Sequence, residues 1–391
     1  MAPQLLWIGL GNMGRGMVKN LVEKGNLEKP VILYNRTRKW SEDLAAKLPK
    51  GKTEIVDSVE EGVKKADVIF TILSNDAAVR AVFSSALAGG GVAGKLFVEC
   101  STIHPDTTAQ LARDAAAAGA QFVASPVFGA PAVAEAGQLI FVPAGPREAI
   151  ERLRPYIRGV MGKGEIAFED EPYEKALKLK LIGNTFVLNM VSVLGEGLTM
   201  AEKTGVGAAP VKQFLDSFFG GPYSAYGDRM LSGAYWKMEE PLFSADNARK
   251  DAGHAMDLAK SVGMELRHAA VIDDYLKVVA EHAGGDKGDV AGMYGAARKK
   301  GGLNLGLYKE ISSKHAMAQG YSVFVGLVIV VAMSVAAWFL SPKGENQTTW
   351  RSSLILAFTS CYLMWFVTFM AQLHPLIEPR RSDLREQFVT E

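Results

Sequence analysis

The sequence is poor in cysteine and has almost no net charge, and each shortage excludes a class of protein. Only two cysteines occur, Cys100 and Cys361, so no disulfide framework can hold the fold and a reducing compartment is indicated. Basic residues number 43 and acidic residues 42, which gives a formal net charge of +1. Proteins that bind nucleic acids usually carry a basic excess, so we expect no nucleic-acid partner. The first residues also lack the basic segment and long apolar run of a secretory signal, and we expect none.

Charge is absent altogether from two C-terminal stretches, residues 321–340 and 352–373. Each has about the 20 apolar residues that cross a bilayer as a helix, so we predict a two-helix transmembrane hairpin closed by a polar loop at 341–351. More basic residues flank the hairpin than lie in its loop. This distribution favours a topology with both ends in the cytosol.

The first 170 residues alternate short apolar runs with segments of helical periodicity. Runs at 5–8, 31–34, 67–73 and 96–99 read as buried strands, and a helical segment follows each of them. Such alternation predicts a parallel sheet covered by helices on both faces. We therefore expect an α/β Rossmann domain over residues 1–170.

The pattern changes near Pro172, where the segments become long, helical and rich in Ala, Leu, Met and Lys. We predict an all-helical domain over residues 171–310, with its first helix capped by Asp170 and running to Thr204. A third part, residues 317–391, would hold the membrane hairpin. Three parts agree with a length of 391 residues.

A glycine-rich turn follows the first predicted strand and opens the first helix. Gly9, Gly11 and Gly14 give the spacing G-x-G-x-x-G, which allows a tight turn and a close approach of the backbone to a pyrophosphate. The motif alone is equally compatible with a purely structural turn, but its place between strand and helix favours a dinucleotide site. The residues expected to contact the cofactor are Gly9, Leu10, Gly11, Asn12, Met13 and Gly14.

The end of the second predicted strand distinguishes the two nicotinamide cofactors. NAD sites usually have an acidic residue there, whereas this chain has Asn35, Arg36 and Thr37. A guanidinium can bind a 2′-phosphate in a forked geometry, so the prediction is NADP(H). The alternative is that Arg36 belongs to a solvated loop. Ser74, after the third predicted strand, is also expected to contact the cofactor.

Lys180 and Asn184 lie four residues apart and so share one face of a predicted helix. The helix is otherwise apolar, and burying these two side chains there is costly. Partial burial would lower the pKa of the lysine, which suits acid–base chemistry near neutral pH. In the structural alternative Lys180 extends its amine to solvent and Asn184 bonds a neighbouring backbone group. Spacing alone favours that alternative.

Five motifs in a fixed order give the chain a wider resemblance. They are the glycine turn, Asn35-Arg36-Thr37, Cys100-Ser101-Thr102, the Lys180/Asn184 pair and Lys250-Asp251. Together they resemble the β-hydroxyacid dehydrogenase family, which includes 3-hydroxyisobutyrate and 6-phosphogluconate dehydrogenases, over about residues 5–307. The resemblance implies a Rossmann domain plus an all-helical domain, dimers formed through the helices, and hydride transfer between NADP(H) and a small hydroxy acid or carbonyl compound.

The same resemblance implies roles for individual residues. Lys180 would be the general acid/base and Asn184 would orient the substrate. Thr102 would lie near the nicotinamide and in reach of the substrate, and Lys250 near the cofactor.

The substrate loop departs from the family pattern. The family reads Asp-Ala-Pro-Val-Ser-Gly-Gly, whereas residues 124–130 read Ala-Ser-Pro-Val-Phe-Gly-Ala. Phe128 replaces a hydroxyl that helps to hold a substrate carboxylate, while Gly129 and Ala130 still offer backbone N–H groups. The residue before Asn184, often a second asparagine, is Gly183. We therefore expect weaker carboxylate binding and a bulkier or less polar substrate.

The C-terminal segment resembles a different protein, subunit e of the V-type proton ATPase, from Met317 to Phe388. The motifs are Ser341-Pro342-Lys343, Trp350-Arg351-Ser352, Gln372-Leu373-His374-Pro375-Leu376 and the run from Pro379 to Arg385. This resemblance implies partners in the membrane sector of the pump and an endomembrane or vacuolar location, with the enzyme part cytosolic. Neither apolar stretch contains a carboxylate, which indicates an accessory role rather than a proton path.

Several interpretations remain open at this stage. The chain is a soluble NADP-dependent dehydrogenase fused to a pump-subunit segment, or a V-type ATPase accessory subunit that carries a vestigial NADP-binding domain. A third interpretation is that two separate proteins are joined near Met317 by a gene-model error or a local gene fusion. A related branch of the enzyme family reduces imines but usually lacks the lysine, so Lys180 favours alcohol–carbonyl chemistry. We assign no metal ligands.

Overall fold

The computed structural model describes residues 2–304, 327–341, 343–344 and 346–373, the last seven of these by their backbone alone. Contacts divide the chain into two compact units, Met1–Gly306 and Leu307–Glu391. Each unit is described by itself.

The first unit begins with an eight-stranded sheet, beside which lies a separate sheet of three strands. The strands are β1 Leu5–Ile8, β2 Val31–Tyr34, β3 Thr53–Ile55, β4 Val68–Thr71, β5 Leu96–Glu99, β6 Gln121–Ala124, β7 Val127–Phe128, β8 Leu139–Phe141, β9 Ala144–Gly145, β10 Gly162–Glu165 and β11 Phe168–Glu169. The large sheet has the order β11-β9-β6-β5-β4-β1-β2-β3, and the small one β10-β8-β7. Strands β1 to β6 are parallel, in the order 3-2-1-4-5-6 of the Rossmann fold, and β9 runs antiparallel to β6.

Helices cover both faces of the large sheet. They are α1 Asn12–Lys24, α2 Arg38–Ala45, α3 Val59–Lys65, α4 Asp76–Ala88, α5 Pro105–Ala117, α6 Pro131–Glu135 and α7 Arg147–Leu153, with a 3-10 turn at Arg154–Tyr156. Strand β1 explains why its sequence is apolar throughout. Leu5 and Trp7 pack into one buried cluster, whereas Leu6 and Ile8 pack into the cluster on the opposite face. A strand buried on both faces needs a continuous apolar run, and this one has it.

Helix α1 packs closely on the short helix α6. A Cβ atom at Gly16 would lie 2.7 Å from the backbone nitrogen of Glu135, so a side chain at this position would force the helices apart. The buried amide of Asn20 donates hydrogen bonds to the carbonyl oxygens of Gly16, Ala134 and Glu135 at 2.8, 2.9 and 3.1 Å. Helix α6 follows the substrate loop directly, so this loop is fixed on helix α1.

The remainder of the first unit is helical, as the sequence indicates. It contains α8 Glu174–Lys203, α9 Ala208–Phe214, a π-helical turn Leu215–Phe219, α10 Gly221–Leu231, α11 Ala234–Lys237, α12 Ala245–Ser261, α13 Arg267–Ala283, a 3-10 turn Val290–Gly292 and α14 Met293–Lys300. Helix α8 is the longest, and its residues Leu188, Val191, Leu194 and Leu198 join a buried cluster built with α10 and α12 to α14.

One sequence-based expectation for α8 is wrong. Asp170 does not cap this helix, which begins at Glu174 without a side-chain cap. Asp170 has a left-handed backbone, φ +56°, and its Oδ1 atom accepts a hydrogen bond from Arg147 N at 2.9 Å. The carboxylate therefore closes the turn before α7 instead.

The second unit contains two helices, α15 Leu327–Leu340 and α16 Gln347–Leu373. Helix α16 begins several residues before the predicted stretch 352–373, so the connection between the helices is shorter than expected. Arg351 in its first turns donates from Nε to Ser341 Oγ at 3.0 Å, and its guanidinium lies 4.6 Å from the ring centre of Trp338. Residues 321–326 of the first predicted span lie outside the described residues.

Within the described part of the chain, one helix has both the length and the hydropathy of a membrane span. It is α8, and half of its most apolar window is buried inside the fold, as in the core helix of a soluble protein. Helix α15 is apolar but shorter than 18 residues.

Candidate active site

The glycine turn between β1 and α1 has the geometry of a phosphate cradle. Gly9 has φ +100°, and a Cβ there would lie 2.2 Å from Ile72 O. At Gly14 a Cβ would lie 2.1 Å from Gly9 O, so both positions require glycine for the fold itself. A Cβ at Gly11 would meet nothing within 4 Å. The space in front of Gly11 is therefore open at the start of a helix, which is where a dinucleotide pyrophosphate fits.

The other turn residues have distinct environments. The side chain of Leu10 is fully buried, so only its backbone faces the open space, and Met13 is partly buried against the core. Asn12 Nδ2 donates to Pro241 O at 2.7 Å, and Arg15 pairs with Glu240 at 2.7 Å. The helical part thus contacts the cofactor turn directly.

The end of β2 leaves one arginine uncommitted. Asn35 accepts a hydrogen bond from Leu10 N at 3.0 Å and donates to Thr37 O at 3.0 Å, which ties this corner to the glycine turn. The Arg38 guanidinium is held by Glu42 at 2.9 Å and by Asp57. Arg36 is exposed and makes no ion pair or hydrogen bond with any described residue.

The expected contacts after β4 and β5 lie at the same edge of the sheet. Ser74 is exposed between β4 and α4, and Leu73 N donates to Ser101 Oγ at 2.7 Å. Thr102 follows β5, and its carbonyl oxygen accepts a hydrogen bond from Lys250 Nζ. The carboxyl ends of β1, β2, β4 and β5 form the crevice where open α/β sheets bind ligands.

Lys180 and Asn184 lie together on the face of α8 that meets helix α12. Both are buried, with 9% and 7% of their surfaces exposed. Asn184 Nδ2 donates to Asp251 Oδ2 at 2.7 Å, and Asp251 Oδ1 lies 3.0 Å from Lys250 Nζ but accepts no hydrogen bond. A polar chain therefore runs from Thr102 through Lys250 and Asp251 to Asn184. The sequence singled out Asp251 only as part of a motif, and its bond to Asn184 was not foreseen.

The amine of Lys180 has no hydrogen-bond or ion-pair partner among the described side chains and backbone groups. Its Nζ atom lies over the Phe128 ring, 4.5 Å from the ring centre. Burial lowers the pKa of this amine, the nearby Asp251 carboxylate raises it, and Lys250 lowers it further; the net result is a pKa of about 8. Such an amine can give or take a proton near neutral pH, and snorkelling to solvent does not describe it.

The substrate loop places Phe128 against helix α8. Its ring packs on Gly183, where a Cβ would lie 2.4 Å from Phe128 Cε1 and 2.5 Å from Cζ. Gly129 has φ +145°, and a Cβ there would lie 2.5 Å from Leu139 Cδ2. Gly129 and Ala130 are both exposed, so their backbone groups face the open side of the loop.

Sequence reasoning missed two buried acidic groups. Glu99, at the end of β5, is fully buried and accepts hydrogen bonds from Ser101 N at 2.6 Å and from Thr71 Oγ1. Burial raises the pKa of its carboxyl, the hydrogen bonds from Ser101 and Thr71 lower it, and the net pKa is about 7. Only its position two residues before Ser101 hinted at this role.

Asp76, at the start of α4, joins the nucleotide-binding and helical parts. Its Oδ1 accepts from His104 N at 2.9 Å and Thr107 Oγ1 at 2.6 Å, and its Oδ2 lies 3.0 Å from His254 Nε2 on α12. Burial raises the pKa of Asp76, but the bonds to His254, Thr107 and His104 outweigh it and lower that pKa well below its usual range. The contact helps to hold α12, and with it Lys250 and Asp251, on the sheet edge.

Fold and site together define a dinucleotide-dependent oxidoreductase. The family profile described as the NAD-binding domain of 6-phosphogluconate dehydrogenase matches residues 4–167, and that described as NAD-binding of NADP-dependent 3-hydroxyisobutyrate dehydrogenase matches residues 175–296. A third profile, that of the H-type subunit of ATP synthase, matches residues 322–383.

Individual relatives agree with these matches. An NADH-dependent oxidoreductase, ucdB of Aspergillus ustus, is 34% identical over 299 residues, which are 76% of this chain and 100% of that protein. V-type proton ATPase subunit e of Eremothecium gossypii is 53% identical over 68 residues, 17% of this chain and 93% of that protein. The solved 3-hydroxyisobutyrate dehydrogenase of Mycobacterium tuberculosis has a TM-score of 0.63 at 23% identity, and the match covers 76% of this chain and 100% of that one. The chain belongs to the 3-hydroxyisobutyrate dehydrogenase-like, or β-hydroxyacid dehydrogenase, family of oxidoreductases, and its C-terminal segment belongs to the V-type ATPase subunit e family.

Proposed function

We propose that residues 1–306 interconvert an alcohol and a carbonyl compound with NADP(H), and that Lys180 is the general acid/base. The observation that carries this proposal is the Lys180 amine, which is buried beside Asn184, has a pKa of about 8 and makes no hydrogen bond to a described residue. A buried amine without a partner is costly, and a substrate hydroxyl or carbonyl oxygen would supply that partner.

The cofactor would be held by the residues at the sheet edge. Backbone N–H groups at Gly11 and the start of α1 face the open space, and Arg36 is the free guanidinium at the end of β2, available to a 2′-phosphate. Ser74 and Thr102 would border the nicotinamide half, with Lys250 beside them. When bound, the nicotinamide supplies or accepts the hydride.

The chain's own part in the reaction is proton transfer and orientation. In oxidation the neutral Lys180 amine takes the hydroxyl proton, and in reduction its ammonium form returns the proton to the carbonyl oxygen. Asn184 gives its Nδ2 to Asp251, which leaves its carbonyl oxygen to accept a hydrogen bond from the substrate hydroxyl. Both groups are preorganised on one rigid helix.

Replacing the lysine tests this proposal. Lys180→Ala should lower kcat by about a hundredfold or more with every substrate, while the affinity for NADPH stays within about twofold, because the amine acts in chemistry and not in cofactor binding. In the wild type, kcat/KM for oxidation should rise with pH through about 8 and that for reduction should fall there. Lys178→Ala, on the exposed face of the same helix, is the matched control. An unchanged kcat in the Lys180 variant would refute the assignment.

We also propose that the enzyme part pairs with a second copy of itself through α8. Ile182, Phe186, Val193 and Met200 form an exposed apolar stripe at helical spacing, with 50%, 73%, 60% and 65% of their surfaces accessible. Such a stripe on the longest helix suits a two-fold interface in which the same patch meets itself. The division into residues 1–170 and 171–310 remains the proposed domain organisation.

A second function is proposed for residues 317–391, as an accessory membrane-sector subunit of a V-type proton pump. The observation that favours it is the similarity to subunit e over nearly the whole length of that protein. The segment would form a transmembrane hairpin in an endomembrane or vacuolar membrane, with both ends and the enzyme part in the cytosol. Co-purification of the full chain with pump subunits after detergent extraction would support this, and two separate bands with antibodies to the two parts would show that the fusion does not exist in the cell.

A further inference from the structure

We infer that Phe128 and Gly183 form a matched pair that lines the substrate site with an aromatic face and selects carbonyl compounds bearing a neutral planar apolar substituent over those bearing a carboxylate. This inference rests on the proposed function and deepens it by naming a substrate class.

The two residues fit only as a pair. The Phe128 ring occupies the space that any side chain at position 183 would need, since a Cβ there would come within 2.4 Å of the ring. The ring also packs against the buried cluster on that face of the sheet, which restricts where else it can go. Phe128 is 55 positions away along the chain, so the glycine on α8 is explained by contact and not by any requirement of the helix.

The ring lies beside the proposed catalytic groups. Gly183 is one helical turn from Lys180 and adjacent to Asn184, so all three share the face of α8 that meets the loop. The Lys180 amine lies 4.5 Å from the ring centre. A substrate whose oxygen reaches this amine therefore places its neighbouring substituent next to the aromatic ring.

The charges in this cluster disfavour a carboxylate at that place. The face of an aromatic ring carries the negative end of its quadrupole, which attracts cations and repels anions. Lys250 is already committed to Thr102 O and to the Asp251 carboxylate, and Asp251 itself adds a buried negative charge. A planar apolar group can instead stack on or pack edge-on against the ring, with its own area removed from water.

A matched pair of aldehydes separates the two substrate classes. Benzaldehyde and glyoxylate both accept a hydride at the carbonyl carbon and a proton at the oxygen, with NADPH oxidised to NADP⁺, and they differ in the phenyl or carboxylate substituent. The measurement is kcat/KM for both aldehydes with the full-length chain in detergent. In the wild type we expect the value for benzaldehyde to exceed that for glyoxylate by about tenfold or more.

Three variants test the pair. Phe128→Ser should lower the benzaldehyde-to-glyoxylate ratio by about tenfold to a hundredfold, because it removes the ring and adds a hydroxyl donor. Gly183→Asn alone should lower kcat/KM for both aldehydes, because the new side chain displaces the ring towards Lys180. In the double variant the loss should be largely recovered, with the ratio now favouring glyoxylate, since the effects of contacting residues are not additive. Phe218→Ser, at a ring with 72% of its surface exposed and away from the site, should leave the ratio unchanged.

The outcomes distinguish this inference from the proposed function. Lys180-dependent turnover that prefers glyoxylate in the wild type, or a ratio that stays within about twofold in Phe128→Ser, would overturn the inference and leave the proposed function intact. Additive losses in the double variant would show that the two positions are not a pair. No turnover of either aldehyde, or turnover that survives Lys180→Ala, would refute the proposed function and this inference with it.

Discussion

The buried Lys180 amine should make the native enzyme less stable than it could be. Its pKa is about 8 in the folded protein, against the ordinary value of 10.5. The difference of 2.5 corresponds to about 3 kcal/mol of lost stability at neutral pH, at 1.36 kcal/mol for each pKa unit. Replacing the lysine by methionine keeps most of the side-chain volume and removes the buried charge. The contact of the amine with the Phe128 ring is lost as well, which offsets about 1 kcal/mol.

We therefore expect Lys180→Met to unfold with a free energy about 2 kcal/mol larger than the wild type at pH 7. The gain has a defined pH dependence. Below pH 8 both folded and unfolded chains carry the charged lysine, so the full cost of burial is present. Between pH 8 and 10.5 the folded protein releases the proton first, so the wild type recovers stability as pH rises and the gain disappears by about pH 10.5.

Urea denaturation of residues 1–306 at pH 7 and pH 10 measures this effect. That unit is compact, has its own buried clusters and matches the full length of the Aspergillus relative, so it can be studied alone. Lys178→Met, an exposed position two residues earlier, should change stability by less than about 0.5 kcal/mol. A Lys180→Met variant that is no more stable than the wild type at pH 7, or whose gain is the same at both pH values, would refute the reasoning.

Two further outcomes follow from charged groups at the sheet edge. Glu99→Gln should be more stable than the wild type by up to about 3 kcal/mol at pH 8 and equal to it near pH 4, measured by urea denaturation; the carboxyl pKa of about 7 against 4.5 means that the wild type loses stability as pH rises between these values, and an unchanged pH dependence would contradict this. Arg36→Ala should weaken NADPH binding by about tenfold to a hundredfold in a fluorescence titration and leave NADH binding unchanged, whereas Arg38→Ala, whose guanidinium is already paired with Glu42 and Asp57, should have a smaller effect. Equal losses for NADPH and NADH would exclude a 2′-phosphate contact.

The nucleotide-binding fold was predictable because its signals are local. Strand β1, the glycine turn and α1 follow one another in sequence, and each has a pattern set by neighbouring residues. The spacing of Lys180 and Asn184 likewise placed both on one face of α8. These features depend on helical and strand periodicity, which a single sequence displays directly.

Contacts between distant residues were not predictable in the same way. Nothing in the sequence around Gly183 indicates that the Phe128 ring fills the space beside it, and nothing around Asn184 identifies Asp251 as its partner. The prediction for Asp170 was wrong because an acidic residue before a helix is typical of a cap, whereas here the backbone adopts a left-handed conformation and the carboxylate bonds Arg147 N. Long-range packing overrode the local preference in each case.

The close packing of α1 on α6 has a consequence for how this enzyme could diversify. Asn20 and Gly16 join the helix that begins at the cofactor turn to the helix that follows Phe128. The two reactants are therefore positioned from a common rigid support, and a loop substitution can reshape the cavity wall without changing the distance over which the hydride moves. Substrate preference and catalytic alignment become separately adjustable properties, which allows the loop to vary in a lineage while the chemistry stays the same.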